Sequence, residues 1–262
     1  MRESSQLVRI EKHRVQDELV VLTFSPGGAE AIGTTPTADG PLVFVQHGLG
    51  SRKERHLDLC LRLAEVGFTA CSLDARYHGD RATREMRQRL ADVKSVEFLE
   101  AFAATVAGTV EDIAAAATYF GTRSYAVIGH SMGGFIALQT TLADPRVTSV
   151  VSIAGALVLE PPPGASYPAA VAEALRQGDP TARAAEFWPR PVLLLHGTDD
   201  ETVPLMGSVR LRNALAPIYA ANPERLRLVE YPGAGHELTT EMAEAAVGWT
   251  RQQVGAVEAS TG

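Results

Sequence analysis

Few features of this 262-residue chain point away from an ordinary water-facing globular protein, and its absences narrow the reading first. It has only two cysteines, Cys60 and Cys71. Cys60 falls in a helical pattern and Cys71 in a strand pattern, so both are expected as core thiols rather than a disulfide. No run of about 18 apolar residues occurs, so no membrane-spanning helix is expected. The opening stretch MRESSQLVRIEKHRVQDE lacks an apolar core, so no secretory signal is expected and a cytoplasmic location is inferred. An excess of positive charge is also missing. The formal net charge is −7, which argues against nucleic acid or an anionic membrane as the main partner. There are no internal repeats. Apolar residues make up 45% and charged residues 21%, a globular balance.

What is present is a rhythm of strands and helices. LVRIEKHRV (7–15) and ELVVLTFSP (18–26) alternate and predict an antiparallel pair at a sheet edge. A Gly- and Pro-bearing stretch, 27–41, predicts a loop, with room for one short strand. PLVFVQHG, FTACSLD, YAVIGH, VTSVVSIAGA, PVLLLHG and RLRLVEYP are then short continuous apolar runs, as strands buried on both faces require. Between them, Leu59, Leu63 and Val66 predict one helix over 54–66, closed by Gly67. Val106, Val110, Ile113, Ala117 and Phe120 predict another, closed by Gly121. A last helix is expected to begin near Glu237, with Met242, Ala246 and Trp249 on its buried face.

Strands alternating with helices predict an α/β fold: a mostly parallel sheet of about eight strands with helices on both faces. The whole of 1–262 is expected to form one domain. Two segments break the rhythm. The charged residues 81–96 predict an exposed helical insertion within about 80–105. Residues 157–190, with Pro161–Pro163, Pro168, Pro180 and Pro189, predict a short lid. Its Leu157, Val158, Leu159, Phe187 and Trp188 either line a pocket or pack the lid onto the body.

Open parallel sheets bind ligands at the carboxyl ends of their strands. The strand at 125–130 ends in GHSMGG, a Gly-x-Ser-x-Gly pattern centred on Ser131. Gly129 and Gly133 let the chain turn sharply from strand to helix and expose the serine oxygen. A serine hydroxyl is a poor nucleophile without a base. His236, in GAGHE after the last strand, is the candidate; none of the six other histidines combines a strand end with this order. The base needs a carboxylate, and in HGTDDETVP Asp199, Asp200 and Glu201 compete. The amide of Met132 and that of Leu49, on the HGLGS loop with His47 and Gly48, are the candidate oxyanion donors. His47 is expected to support that loop. Asp74, Arg76, His78 and Gly79 lack ligand spacing for zinc and are expected to cap a strand, so neither metal nor cofactor is expected.

The motifs HGLGSRKE, GFTACSLDARYHGDR, GHSMGG, HGTDDETVP and GAGHE, in this order over residues 41–237, resemble those of the α/β-hydrolase superfamily. The set is most similar to small bacterial carboxylesterases of the dienelactone-hydrolase and prolyl-oligopeptidase-like branch. Dienelactone hydrolases proper carry a cysteine where this chain has Ser131. The resemblance selects Asp200 as the acid, the fifth residue of the His-Gly-x-x-Asp pattern, and implies that His130 belongs to the elbow around the nucleophile. It implies a carboxylesterase acting on a small-molecule ester of small to medium acyl group by a Ser-His-Asp acyl-enzyme. A thioesterase or amidase with the same triad, and a non-catalytic ligand-binding protein, are the alternatives. The oligomeric state, a homodimer included, is left open.

Overall fold

The computed structural model describes residues 7–16, 18–27, 40–157, 173 and 177–260. Its centre is an eight-stranded sheet in the order β1-β2-β4-β3-β5-β6-β7-β8. The strands are β1 (Val8–Arg14), β2 (Val20–Pro26), β3 (Leu42–Gln46), β4 (Thr69–Leu73), β5 (Tyr125–His130), β6 (Val147–Ile153), β7 (Val192–Gly197) and β8 (Leu226–Tyr231). The β1–β2 and β2–β4 pairs are antiparallel, and every pair from β4 to β8 is parallel. The helices are α1 (Leu57–Glu65), α2 (Arg84–Arg89), α3 (Val96–Tyr119), α4 (Met132–Ala143), α5 (Met206–Leu215) and α6 (Thr240–Ser260). The architecture is the expected α/β fold, with the antiparallel pair at one edge.

The two-residue period of a strand explains the continuous apolar runs. Leu42 and Phe44 of β3, Tyr125 and Val127 of β5, and Val192 and Leu194 of β7 enter one core with α3, α4 and α5. Their neighbours Val43, Val45, Ala126, Ile128, Leu193 and Leu195 enter a second core, where Leu59 and Leu63 of α1 meet Met242, Ala246 and Trp249 of α6. Both faces are covered, so both alternate sets must be apolar. Cys60 and Cys71 are free, buried thiols. Among the described residues, no helix is long and apolar enough to cross a membrane.

Several boundaries differ from the sequence expectation. The first helix opens with a 3-10 turn at Lys53–His56, and Val66 lies exposed beyond its end. The charged segment 81–96 is not one helix. Thr83 caps the short α2, residues 90–95 form a connection, and Ser95 caps α3 by accepting the Phe98 amide at 3.0 Å. Residues 96–105 therefore belong to α3 and bury Ala101, Phe102 and Thr105. Strand β6 stops at Ile153 because Ala154 takes a positive φ of 49°. The last helix starts at Thr240 rather than near Glu237, with the Thr239 hydroxyl receiving the Met242 amide at 3.2 Å. Of the expected lid, 158–172 and 174–176 lie outside the described residues, as do 28–39 of the early loop. Phe187 packs wholly inside the first core, while Trp188 is exposed and edge-on to Tyr219.

The sheet order reverses between β4-β3 and β5, which opens a crevice beyond the ends of β3 and β5. Gln46 pairs with Gly129 there, so the chain segments leaving the two strands lie side by side. Leu63, fully buried between α1 and the sheet, reports on the second core. Leu63→Ala is expected to cost about 2–5 kcal/mol, measured as a lower urea midpoint with an unchanged m-value.

Candidate active site

The crevice is organised around the turn from β5 into α4. Ser131 occupies it with φ 59° and ψ −126°. Its amide donates to the Ile153 carbonyl at 2.8 Å and its carbonyl accepts the Phe135 amide at 3.1 Å, so the strained residue is fixed from both sides. Two glycines make the turn sterically feasible. A Cβ at Gly129 would strike the Gly133 carbonyl, and a Cβ at Gly133 would strike the carbonyls of Gln46 and His47.

The long-range partner of Ser131 arrives from β8. The Ser131 hydroxyl donates to His236 Nε2 at 2.8 Å, and His236 Nδ1–H donates to Asp200 Oδ2 at 2.7 Å. The loops after β7 and β8 are tied together: the Asp199 amide donates to the Ala234 carbonyl at 2.9 Å, and the Gly233 amide to the Thr198 hydroxyl at 2.9 Å. Of the three competing acids, Asp200 is buried and turned toward the histidine. Asp199 is exposed and accepts the Thr198 hydroxyl, and Glu201 is exposed. Asp200 Oδ1 receives the amides of Thr202 and Val203 at 2.9 and 2.8 Å. Burial pushes the Asp200 carboxyl up, but the bonds from His236 and these two amides outweigh it and hold the group below its ordinary value.

Behind Asp200 lies His196, whose place at the head of HGTDD is the one sequence signal for its role. It is fully buried, donates from Nε2 to the Val203 carbonyl at 2.7 Å and accepts the Ser208 hydroxyl at Nδ1 at 2.7 Å. It therefore braces the turn that carries the Val203 amide to Asp200.

The loop after β3 passes over Ser131. A Cβ on Gly48 would lie 3.1 Å from Ser131 Cβ and 3.4 Å from its Oγ. His47 is buried and accepts the Ala75 amide at Nε2 at 3.0 Å, which leaves the proton on Nδ1, facing the Gly48 carbonyl at 2.8 Å. In a trans peptide the N–H points opposite to the C=O, so pinning the Gly48 carbonyl on His47 turns the Leu49 amide away from His47. Met132 is the first residue of α4, where helix geometry leaves the amide without an intrahelical partner.

His130 donates from Nε2 to the His236 carbonyl at 2.8 Å and meets the His56 ring edge-on at 5.4 Å. Burial pushes His47 and His130 down to about 4 and His56 down to about 3. His56 Nε2 is buried without a hydrogen-bond partner among the described residues. Asp74 accepts the Lys53 amide at 2.8 Å, the Lys53 ammonium at 2.9 Å and the Asp80 amide at 3.0 Å. Arg76 pairs with Asp112 at 3.0 Å, and His78 Nδ1 donates to the Arg76 carbonyl at 2.9 Å. Asp74 and its neighbours thus anchor the HGLGS loop to the end of β4. A cavity of about 750 Å³ opens on the outer side of Leu49.

A strained serine between strand and helix, hydrogen-bonded to a histidine and through it to a carboxylate at strand ends, defines an enzyme of the α/β-hydrolase fold. Comparison with known proteins narrows this. Residues 37–177 match the family described as serine aminopeptidase, S33, and the chain belongs to that family. It is 26% identical to Esterase YjfP of Escherichia coli K12, over 95% of this chain and 100% of that protein. It is 27% identical to a monoacylglycerol lipase of Mycolicibacterium smegmatis, over 80% of this chain and 86% of that one. The crystal structure of TT1662 from Thermus thermophilus superposes with a TM-score of 0.74 at 28% identity, covering 94% of this chain and 98% of that chain. The protein is a hydrolase of esterase type.

The buried histidines make stability pH-dependent. Unfolded histidine titrates near 6.5, whereas His47 and His130 titrate near 4 and His56 near 3 when folded. Between these values the unfolded chain binds more protons, so stability is full above about 6.5 and falls as pH drops toward 4. Asp200, with its lowered value, contributes above the ordinary carboxylate range and loses that contribution only at still lower pH. Urea titrations from pH 7.5 to 4.5 should show this slope. His56→Gln should reduce it by roughly 1.4 kcal/mol per pH unit, one proton's worth.

Proposed function

We propose that Ser131, His236 and Asp200 form a catalytic triad that hydrolyses carboxylic esters of small to medium acyl group through an acyl-enzyme. The observation that carries this reading is the continuous hydrogen-bonded path from Ser131 Oγ through His236 to Asp200, 2.8 and 2.7 Å long at its two links. In the first step His236 Nε2 takes the hydroxyl proton as Ser131 Oγ attacks the ester carbonyl. Asp200 holds the Nδ1 proton and stabilises the imidazolium. The amides of Leu49 and Met132 receive the oxyanion, a role supported by the pinned Gly48 carbonyl and by the helix start at Met132. His236 then returns the proton to the departing alcohol, and a water it activates releases the acid.

In this reading His47 and Gly48 set the oxyanion loop, Gly129 and Gly133 permit the turn, and His130 positions His236 through its carbonyl. Residues 1–262 act as one domain, with 157–190 as a lid and the charged 80–105 segment bordering the site. A reducing, cytoplasmic setting fits the two free thiols. A second reading, amide cleavage by the same triad, is favoured by the family's description as a serine aminopeptidase.

A series of p-nitrophenyl esters, matched thioesters and p-nitroanilides separates these readings, with the highest kcat/KM expected for the esters. Ser131→Ala should lower kcat by on the order of 10⁶-fold and abolish labelling by a fluorophosphonate probe. Asp200→Asn should lower kcat by about 10⁴-fold. A Ser131→Ala enzyme with near-full turnover would overturn the assignment.

A further inference from the structure

The chain is acidic overall, with a formal net charge of −7. The cavity outside Leu49 departs from this. Arg52 and Arg55 enter it from the turn that follows the HGLGS loop, and Arg87 enters from α2. The carboxylate in its lining is Glu54, and that group is already claimed: Arg52 Nε lies 3.6 Å and Lys53 Nζ 3.4 Å from its oxygens. Among the described residues, Arg55 and Arg87 have no carboxylate within ion-pair distance. Three guanidiniums against one carboxylate leave an excess of two positive charges. The cavity is therefore cationic within an anionic molecule.

The geometry of the wall reinforces this. Tyr77 lines the same cavity and holds a φ of 63°, a left-handed conformation that a bulky residue adopts only when its surroundings impose it. Its neighbours supply that constraint: the Arg76 amide donates to Thr109 Oγ1 at 3.0 Å, and the His78 amide to the Ala75 carbonyl at 3.0 Å. Arginine keeps its charge at any working pH and presents a planar fork suited to carboxylate or phosphate. A concave wall concentrates that field.

We propose that this cavity binds an anionic group of the substrate, a carboxylate or a phosphate monoester, so that the preferred esters carry a negative charge on the part extending over Leu49. The inference rests on the triad reading, because Leu49 joins the cavity to the reacting carbonyl only if its amide serves the oxyanion. It adds a substrate class that the triad alone does not specify. Without these arginines an anionic ester would meet the net negative charge of the chain with no local cation to offset it in the cavity lining.

Two matched ester pairs test it. In one the charge is in the acyl half: 4-nitrophenyl hemiglutarate against 4-nitrophenyl valerate. In the other it is in the alcohol half: 4-acetoxybenzoate against its methyl ester. At low ionic strength, kcat/KM for the anionic member of at least one pair should exceed that of its neutral partner by roughly tenfold or more, the scale of a charge-assisted hydrogen bond. The ratio should fall as NaCl is raised. It should collapse toward one in Arg55→Gln/Arg87→Gln, and persist in Arg251→Gln, a change on the exposed side of α6 away from the cavity. Free glutarate and inorganic phosphate should inhibit competitively and lose that effect in the double variant; the stronger of the two identifies the group the site favours. Neutral esters turned over with no preference in either pair would overturn the inference and leave the triad standing. Absence of turnover with every ester, together with no fluorophosphonate labelling of Ser131, would overturn both.

Discussion

Ser131 holds a backbone conformation, φ 59° and ψ −126°, that costs a residue with a Cβ on the order of 1–3 kcal/mol. The turn survives because its surroundings leave the chain no alternative. The Ser131 amide is claimed by Ile153 at the end of β6, and its carbonyl by Phe135 in the first turn of α4. The strand behind it is locked between β3 and β6. Glycines at 129 and 133 remove the Cβ atoms that would otherwise collide with backbone carbonyls. The strain is thus opposed by sheet pairing and by two apolar cores, and the result is an oxygen that stands clear of its own backbone.

The same logic of pinned peptides governs the rest of the site. Buried His47 receives the Ala75 amide and faces the Gly48 carbonyl, so the end of β4 orients a loop that begins at β3. His196 holds the Val203 carbonyl while the Val203 amide holds Asp200. His130, one residue before Ser131, holds the carbonyl of His236. In each case an imidazole fixes a main-chain group, and burial favours the neutral form of His47 and His130. Three histidines serve as braces and a fourth, His236, stands between hydroxyl and carboxylate.

Much of this was legible in the sequence. Strands buried on both faces leave continuous apolar runs, and seven of the eight strands were bounded to within about two residues by such runs or by alternation. Ser131, Asp200 and His236 sit at strand ends that the motifs mark directly. Less legible were features that depend on partners distant in the chain. The hydrophobic spacing put Val66 on a buried face, but α1 had already ended. Nothing local marks Lys53 as buried, yet its ammonium pairs with Asp74 just past β4 and with Asp80 in the turn beyond it. His56 gives no local hint that its ring will be enclosed beside His130. The last helix starts at Thr240 rather than near Glu237 because the Glu237 carboxylate accepts the Gly235 amide within the loop, a contact with no local sequence signal.

Strand β8 sits at the free edge of the sheet, with a side exposed to solvent, and β7 is its one strand neighbour. Yet the loop that leaves it carries the imidazole that meets a hydroxyl 105 positions earlier in the chain. The contact between Ser131 and His236 therefore depends on a strand that is paired on one side only. Local fraying of that edge would part His236 from Ser131 while both cores stayed intact, so under the proposed triad loss of turnover should precede loss of secondary structure as denaturant is added.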